Sequence, residues 1–286
     1  MKNIDHLSVN YHLLEACNMR CKFCFATFKD IAHSKRKTEM ALAIVRKLAE
    51  SGFRKITFAG GEPTLRHDLP LLLKTAQDLG MTTMVVTNGS KLLDSAYFEE
   101  LKENLDWLIL SIDSFNEETN LKSGRRIHNG AAIADQQYLD ICQQAKNYGL
   151  RLKINTVVSK FNHEEDMSSF IRLAGPERWK IFQALPVEGQ NSHNNGLFEI
   201  SHDQFNAFLN RHHGAGLADI IVPEDNDAMT GSYVMVGPNG CFFDNSKGRH
   251  SYSSPILDVG VEEALKEVHF DYQKFITRGA IYDWVR

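Results

Sequence analysis

The sequence lacks the features that would place it in a membrane or outside the cell. No stretch of its 286 residues approaches the roughly 18 consecutive apolar residues that a membrane-spanning helix needs. Residues 1–7 contain no basic start followed by an apolar run, so we expect no secretory signal. The chain has only five cysteines, which is too few for a disulfide framework and favours a reducing compartment, by default the cytoplasm.

An excess of basic charge is also missing. The chain has 32 Lys and Arg against 36 Asp and Glu, which gives a formal net charge of −4. Proteins that bind nucleic acid through its phosphates need a basic face, so we predict no nucleic-acid partner and expect any cationic site to be local. Repeats and low-complexity linkers are absent, and the 43% hydrophobic content is enough for one large core.

What is present is a group of three cysteines, Cys17, Cys21 and Cys24. A structural zinc site normally uses four protein ligands, so three thiolates favour a metal centre with one open coordination position. A cubane iron–sulfur cluster fits this pattern, because a short loop can bind three of its corners and leave the fourth iron free. Two alternatives stay open, which are a zinc site completed by His12 or His33 and three unrelated thiols.

Strand-like and helix-like segments alternate along the first 190 residues. The six predicted strands cover residues 7–14, 55–59, 82–87, 107–113, 151–158 and 178–185. The predicted helices cover residues 38–51, 68–79, 95–103 and 131–148, and a further helix begins at residue 162. This order predicts an α/β fold with a parallel sheet and right-handed crossovers, in the form of a partial (β/α)₆ TIM-type barrel.

The last third of the chain has a different pattern. Ser201 and Gln204 form a capping-box pattern that predicts a helix to about residue 213. Short β-prone pieces follow at residues 233–236 and 241–243, and a helix-like piece covers residues 261–268. We therefore predict a barrel with the cysteine loop in residues 1–190, and a C-terminal α+β extension in residues 191–286 that closes the substrate site.

Polar motifs follow four successive predicted strands. They are the cysteine loop, Gly60-Gly61-Glu62-Pro63, Thr87-Asn88-Gly89, and the pair Ser111 and Asp113. A glycine pair lets backbone approach a ligand, and Glu62 can pair with an ammonium group. Ser111 and Asp113 share one side of a strand and could hold a ribose diol. Each motif is also an ordinary turn sequence, but their positions at successive strand ends favour one shared site.

Cationic residues share one face of neighbouring strands. They alternate with apolar residues on the fifth and sixth strands and begin the second, as Lys153 with Asn155, Arg178 with Lys180, and Lys55. If helices cover the apolar face, the cations point into the barrel, where unpaired charges are costly unless a multiply charged anion joins them. The pattern therefore predicts a triphosphate site. Alternatively, the cations lie at the solvated rim or extend outward.

The sequence resembles the radical S-adenosylmethionine superfamily, whose signature is CxxxCxxC after the first strand and GGEP after the second. Over nearly the whole chain it is similar to the viperin family, in residues 10–12, 24–25, 153–155, 161–167, 178–183, 187–189 and 257–264. The resemblance implies a 4Fe–4S cluster on the three cysteines, whose open iron binds the methionine end of S-adenosylmethionine. It further implies that the cofactor lies beside Gly60, Gly61, Glu62, Asn88, Ser111 and Asp113.

The same resemblance implies a reaction, in which a ribonucleoside triphosphate becomes its 3′-deoxy-3′,4′-didehydro analogue, an antiviral chain terminator. It implies that the triphosphate is bound by Lys55, Lys153, Arg178 and Lys180. It also implies that Asn155 orients the nucleotide and that Tyr233 is a hydrogen-bond or proton partner near the ribose. Asn10 matches a position that faces a pyrimidine, which favours CTP. Arg125 is a further substrate-binding candidate, in a loop that is shorter and differently composed than in the family.

These implications include a partner and leave other functions open. An electron donor such as flavodoxin or ferredoxin must reduce the cluster, and we expect the protein to be a monomer. A GTP cyclase of the molybdopterin type would need a second cysteine triplet near the C-terminus, where Cys241 stands alone. A metal-binding interaction protein without catalysis is the alternative from another class. Cys142 lies in a predicted helix and is assigned to the core.

Overall fold

The computed structural model describes residues 7–31, 37–128 and 130–284. Within them ten strands form one sheet in the order β10-β9-β8-β1-β2-β3-β4-β5-β6-β7. The strands are β1 (Ser8–His12), β2 (Lys55–Ala59), β3 (Thr82–Thr87), β4 (Trp107–Ser111), β5 (Arg151–Val158), β6 (Arg178–Gln183), β7 (Ile221–Glu224), β8 (Val234–Val236), β9 (Cys241–Asp244) and β10 (Ser251–Pro255). Residues 1–6, which belong to the segment where no secretory signal is expected, lie outside the described part of the chain. So does His33, the alternative zinc ligand.

Helices lie between the parallel strands and continue after them. They are α1 (Thr38–Glu50), α2 (Leu69–Asp78), α3 (Ser95–Lys102), α4 (Glu117–Ser123), α5 (Asp135–Asn147), α6 (Ser168–Ala174), α7 (Asn195–Phe198), α8 (His202–His212), α9 (Asn226–Met229), α10 (Ile256–Val259), α11 (Val261–Lys266) and α12 (Tyr272–Thr277). None of the helices in the described ranges combines the length and apolarity that crossing a membrane requires.

The central strands confirm the predicted α/β architecture. From β1 to β7 every neighbouring pair is parallel, as expected when helices connect consecutive strands. The sheet is open rather than closed, which is the form of a partial barrel. Ile56, Ile154 and Trp179 contribute to the main hydrophobic core, whereas the cations that alternate with them face the interior of the barrel. The prediction that these cations point inward is confirmed.

Strands from the C-terminal third extend both edges of this sheet. β7 pairs in parallel with β6, while β8 pairs in parallel with β1 at the other edge and continues into the antiparallel strands β9 and β10. Neither β7 nor β10 was predicted from the sequence. β7 contains Pro223, and a proline is tolerated there because β7 is an edge strand. β10 is a serine-rich strand without apolar alternation. The division at residue 190 stays a prediction.

Two predicted helices begin later in the chain than expected. The segment predicted as one helix over residues 131–148 becomes helical only at Asp135, and the preceding helix α4 was missed. The proposed capping box at Asn162 is a turn, because the Asn162 amide donates to the backbone carbonyls of Asp113 and Val157, and α6 begins at Ser168. By contrast, the capping box that opens α8 at Ser201 is confirmed in both of its hydrogen bonds.

Candidate active site

The three cysteines lie half-buried on the loop after β1 and line a cavity of about 290 Å³. Donors surround their sulfur atoms, as in iron–sulfur sites. The backbone N–H of Met19 lies 3.3 Å from Cys17 Sγ, and Arg125 Nη1 lies 3.5 Å from Cys21 Sγ. All five cysteines of the chain are free thiols. The loop therefore presents three available sulfur ligands to one cavity.

The burial of the cysteine thiols and of His12 bears on which metal centre the loop can hold. Burial raises the pKa of Cys17 to about 11 and that of Cys21 to about 12, so the thiolates need a bound cation to form at neutral pH. Among the described residues, no three His, Cys, Asp or Glu side chains are grouped to hold one metal ion. His12 is buried against the rings of Phe25, Phe28 and Phe243. The zinc alternative through His12 is thus not supported.

The glycine pair after β2 allows the cysteine loop to pack on the sheet. A Cβ on Gly61 would lie 2.2 Å from the carbonyl oxygen of Ala16, and one on Gly60 would lie 2.8 Å from that of Leu14. Instead, Gly61 N–H donates to the Leu14 carbonyl at 2.7 Å and Glu62 N–H donates to the Ala16 carbonyl at 2.9 Å. The protein's own backbone is therefore the first reason for the two glycines, although both also line the cavity.

Glu62 is a buried carboxylate at the edge of this cavity. Its Oε1 accepts from the Thr87 hydroxyl at 2.7 Å, and its Oε2 accepts from the Asn88 N–H at 2.7 Å. Burial raises the pKa of Glu62, and these hydrogen bonds oppose that rise. Asn88 in turn donates to Asn18 Oδ1 at 2.8 Å, which connects the end of β3 to the cysteine loop. The ends of β1, β2 and β3 thus form one hydrogen-bonded unit.

Arg125 lies inside the barrel, next to the cysteines. Its Nη1 pairs with Asp113 at 2.9 Å, and both side chains are buried. Its Nη2 donates to the Ser111 carbonyl. Asp113 also accepts from the Val157 N–H at 2.8 Å, so a ribose diol at Ser111 and Asp113 would meet a carboxylate that already has two partners. The missed helix α4 places Arg125, and its Asn116 cap and Gly124 end were the available sequence signals.

A second cavity of about 40 Å³ lies among the cations. It is lined by Lys55, Lys153, Arg178, Lys180 and a residue that sequence analysis missed, Arg278. Burial, with Lys180 close by, lowers the pKa of Lys55 and of Lys153 well below the usual value. A bound anion would stabilise the charged forms of these lysines.

The C-terminal segment covers this cationic cavity. Lys55 Nζ lies 4.4 Å from the ring centre of Tyr282 and 4.2 Å from that of Trp284. The Trp107 indole donates to the Trp284 carbonyl at 3.0 Å, which attaches the segment to β4. Stacking on aromatic rings stabilises cations without neutralising them. The aromatic residues near the end of the chain were the signal for this cover.

Tyr233 joins the cations to a carboxylate that sequence analysis also missed, Glu224. Lys180 Nζ donates to Tyr233 Oη at 2.8 Å, and Tyr233 Oη donates to Glu224 Oε2. Glu224 also forms ion pairs with Lys180 and, at 3.1 Å, with Arg278. Glu224 could not be predicted as a site residue, because the strand that it ends, β7, was itself not predicted.

The two cavities share part of their lining. The side chains that belong to both are Asn10, Thr57, Lys153, Lys180 and Tyr233. Asn155 lines the larger cavity, and its side-chain oxygen is buried without a hydrogen-bond partner in the described structure. The structure therefore brings together all the site residues predicted from the sequence, with the cysteines at one end and the phosphate candidates at the other.

Comparison with known proteins agrees with this arrangement. The sequence profile of the Radical SAM superfamily matches residues 11–174. A protein of Lacinutrix mariniflava named "S-adenosylmethionine-dependent nucleotide dehydratase" is 51% identical over 97% of this chain, which spans 58% of that relative's length. A Flammeovirga pacifica protein of the same name is 48% identical, with 97% of this chain and 96% of the relative covered. A Danio rerio relative named "S-adenosylmethionine-dependent nucleotide dehydratase RSAD2" is 38% identical, with coverage of 97% and 78%.

Solved structures support the fold alone. Streptococcus suis SuiB bound to S-adenosylmethionine superposes with a TM-score of 0.64 at 17% identity, over 82% of this chain and 59% of that one. The enzyme anSMEcpe with bound AdoMet superposes with a TM-score of 0.65 at 16% identity, over 95% and 82%. The superfamily match establishes an enzyme that uses S-adenosylmethionine and a 4Fe–4S cluster. The resemblance seen in the sequence is confirmed: the chain belongs to the radical S-adenosylmethionine superfamily and, within it, to the viperin-like nucleotide dehydratases.

Proposed function

We propose that the protein is a nucleotide dehydratase that converts a ribonucleoside triphosphate, with CTP favoured, to its 3′-deoxy-3′,4′-didehydro analogue. The observation that carries this proposal is the shared lining of the two cavities by Asn10, Lys153, Lys180 and Tyr233. A nucleotide whose phosphates lie among the cations places its ribose between them and the cysteine loop. The names of the similar proteins support S-adenosylmethionine-dependent dehydration of a nucleotide.

The residues present fit the two cofactors. Cys17, Cys21 and Cys24 would hold the cluster, and Gly60, Gly61, Glu62, Asn88 and Ser111 would surround S-adenosylmethionine. When bound by these residues, the cluster and S-adenosylmethionine would supply the radical chemistry needed to remove hydrogen from C4′ of the substrate. Glu62 offers a buried carboxylate to the cofactor's ammonium group.

The substrate roles follow from position in the barrel. Lys55, Lys153, Arg178 and Lys180 bind the triphosphate, and Asn155 uses its unpartnered oxygen to orient the nucleotide. Tyr233 lies near the ribose as a hydrogen-bond or proton partner. Asn10 lies between the two cavities and faces the base. Arg125, with its contacts to Cys21 and Asp113, binds at the cofactor side of the ribose.

The cellular setting is part of the same proposal. The protein works as a monomer in the cytoplasm, where its thiols stay reduced, and it receives electrons from a flavodoxin or ferredoxin. The product acts against viruses by terminating the chains that their polymerases extend. The C-terminal extension closes the substrate site, as the contacts of Tyr233, Glu224 and Arg278 with Lys180 and with one another support.

The test is anaerobic reconstitution with iron and sulfide, followed by dithionite, S-adenosylmethionine and each ribonucleoside triphosphate in turn. We expect formation of 5′-deoxyadenosine to rise strongly with one triphosphate, CTP, and only weakly with the others. Equal formation with every nucleotide and without any nucleotide would contradict the proposal. A second readout is the mass of the nucleotide product, which should lie 18 Da below that of the substrate because water is lost.

A further inference from the structure

Glu224 is a fully buried carboxylate in the middle of a cationic site. Its exposed fraction is 0%, and it ends β7 at one edge of the sheet. Burying a carboxylate is costly unless partners compensate. Here the partners are two cations, Lys180 and Arg278, and the hydroxyl of Tyr233. Although burial alone would raise it, the pKa of Glu224 lies below its usual value because these cations stabilise the anion.

The contacts of Glu224 span the open side of the barrel. In the sheet order, β7 and β8 lie on opposite sides of the six strands β1–β6. Tyr233 directly precedes β8, yet its hydroxyl donates to Glu224 at the end of β7. Arg278, which follows α12, completes the bridge from a third segment, with its guanidinium 3.7 Å from the centre of the Tyr233 ring. The carboxylate thus fixes three side chains that arrive from separate parts of the fold.

The neighbouring cations show what Glu224 adds. Within the described ranges no carboxylate pairs with Lys55 or Lys153, whose ammonium groups lie near aromatic rings instead. Lys180 and Arg278 differ because both pair with Glu224. Lys180 also directs a hydrogen bond at Tyr233. The two groups nearest to the expected ribose, Lys180 and Tyr233, are therefore both held by one carboxylate.

We propose that Glu224 is a positioning residue. It is the internal counter-ion that keeps Lys180 charged and orients Tyr233 until the phosphate oxygens of the substrate bind Lys180 and Arg278. This inference rests on the proposed function. Glu224 lines neither cavity and acts only through its partners. When phosphate oxygens bind Lys180 and Arg278, the Tyr233 hydroxyl remains as the partner of Glu224, which holds the tyrosine toward the ribose.

The charges around Lys180 set the sign of the expected pH dependence. The titratable groups that line the cavity with Lys180 are Lys55 from β2, Lys153 from β5, Arg178 on the same strand, Arg278 after α12, and the tyrosines Tyr233 and Tyr282. Glu224 is the carboxylate that faces them. Burial lowers the pKa of Lys180 to about 8, and Glu224 opposes this. Lys180 must be protonated to bind phosphate, so removing the Glu224 charge should move the alkaline limb of kcat/KM to lower pH.

The test compares wild type with Glu224→Gln and Glu224→Asp. We expect Glu224→Gln to move the alkaline limb of kcat/KM down by about one pH unit and to lower kcat roughly tenfold, because Tyr233 loses its orientation. Glu224→Asp should restore the position of the limb even where kcat stays low. Asp68→Asn, which removes the carboxylate of the buried pair between Arg66 and Asp68, is the matched control and should leave the limb at the wild-type pH.

The outcomes separate this inference from the proposed function. Calorimetric titration of wild type with CTP, without S-adenosylmethionine, should show binding that weakens above pH 8. If wild type shows no nucleotide-dependent 5′-deoxyadenosine, the proposed function fails. If wild type responds but Glu224→Gln lowers activity equally at every pH, Glu224 is only structural and the inference is overturned. If Glu224→Gln does not fold, Glu224→Asp is the deciding variant. An alkaline limb of kcat/KM at lower pH in Glu224→Asp than in Asp68→Asn would contradict the counter-ion role.

Discussion

The two ends of the barrel are built in different ways. The cluster end is the end with Cys17, Cys21 and Cys24, and the phosphate end is the end with Lys55 and Arg178. At the cluster end, backbone hydrogen bonds join the strand-end loops, and Gly61 lets two loops meet where a Cβ would lie 2.2 Å from a carbonyl oxygen. At the phosphate end, side chains from separate strands and from the C-terminal segment meet through charge and ring contacts. The first end is specified by local sequence, and the second by the tertiary fold. Substitutions should therefore affect cluster retention at one end and nucleotide binding at the other.

The largest effect is expected from a cluster ligand. Cys21→Ser replaces a thiolate with a poor iron ligand, so we expect loss of the cluster and activity at background level. Iron content and visible absorbance after anaerobic reconstitution measure this directly. Cys241→Ala, which changes a buried thiol of β9, is the control and should keep full iron content. Retention of the cluster by Cys21→Ser would break the assignment of this end.

A backbone change should be almost as severe at the same end. In Gly61→Ala the added Cβ meets the backbone of the cysteine loop, which cannot move without breaking the Gly61 and Glu62 hydrogen bonds. We expect a loss of about 1–3 kcal/mol in the free energy of unfolding and a lower iron content. Gly196→Ala places its Cβ in open space and should change neither quantity. A normal iron content in Gly61→Ala would show that the loop contact is not needed for the cluster.

The residues whose roles could be predicted from the sequence are those set by local motifs or by strand alternation, and the residues that were missed are those set by the tertiary fold. The cysteines, Glu62 and Asn88 were predictable because each lies in a short motif at the end of a regular strand. Lys153 and Lys180 were predictable because strand alternation places them opposite core residues. Glu224 and Arg278 were missed because nothing in their local sequence indicates a site. Their contacts arise only when β7 and the C-terminal segment both reach Tyr233.

An intermediate effect is expected at the phosphate end, where the substitution should raise stability, weaken nucleotide binding and leave the cluster in place. Lys153→Met removes a buried cation that has no carboxylate partner in the described structure, so the empty protein should unfold at a higher temperature. The KM for CTP should rise roughly tenfold, since a phosphate contact is lost. Iron content should stay at the wild-type level. A variant of lower stability with an unchanged KM would show that Lys153 serves the fold rather than the substrate.

The smallest effect is expected from the aromatic cover. Tyr282→Ala removes a ring that lies 4.0 Å from Arg178 Cζ and 4.4 Å from Lys55 Nζ. A cation–π contact contributes about 0.5–2 kcal/mol, so the KM for CTP should rise by a few-fold while kcat changes little. Tyr272→Ala, at an exposed position of α12, is the control. A change in iron content in Tyr282→Ala would contradict the separation of the two ends.

The central claim is that the cluster end and the phosphate end act on one ribose held between them. The most direct test uses CTP deuterated at C4′, incubated anaerobically with the reconstituted protein, dithionite and S-adenosylmethionine. The account predicts that the 5′-deoxyadenosine carries one deuterium and that CTP deuterated at C3′ transfers none. Unlabelled 5′-deoxyadenosine from the C4′-deuterated substrate, formed at the rate seen without nucleotide, would contradict the account.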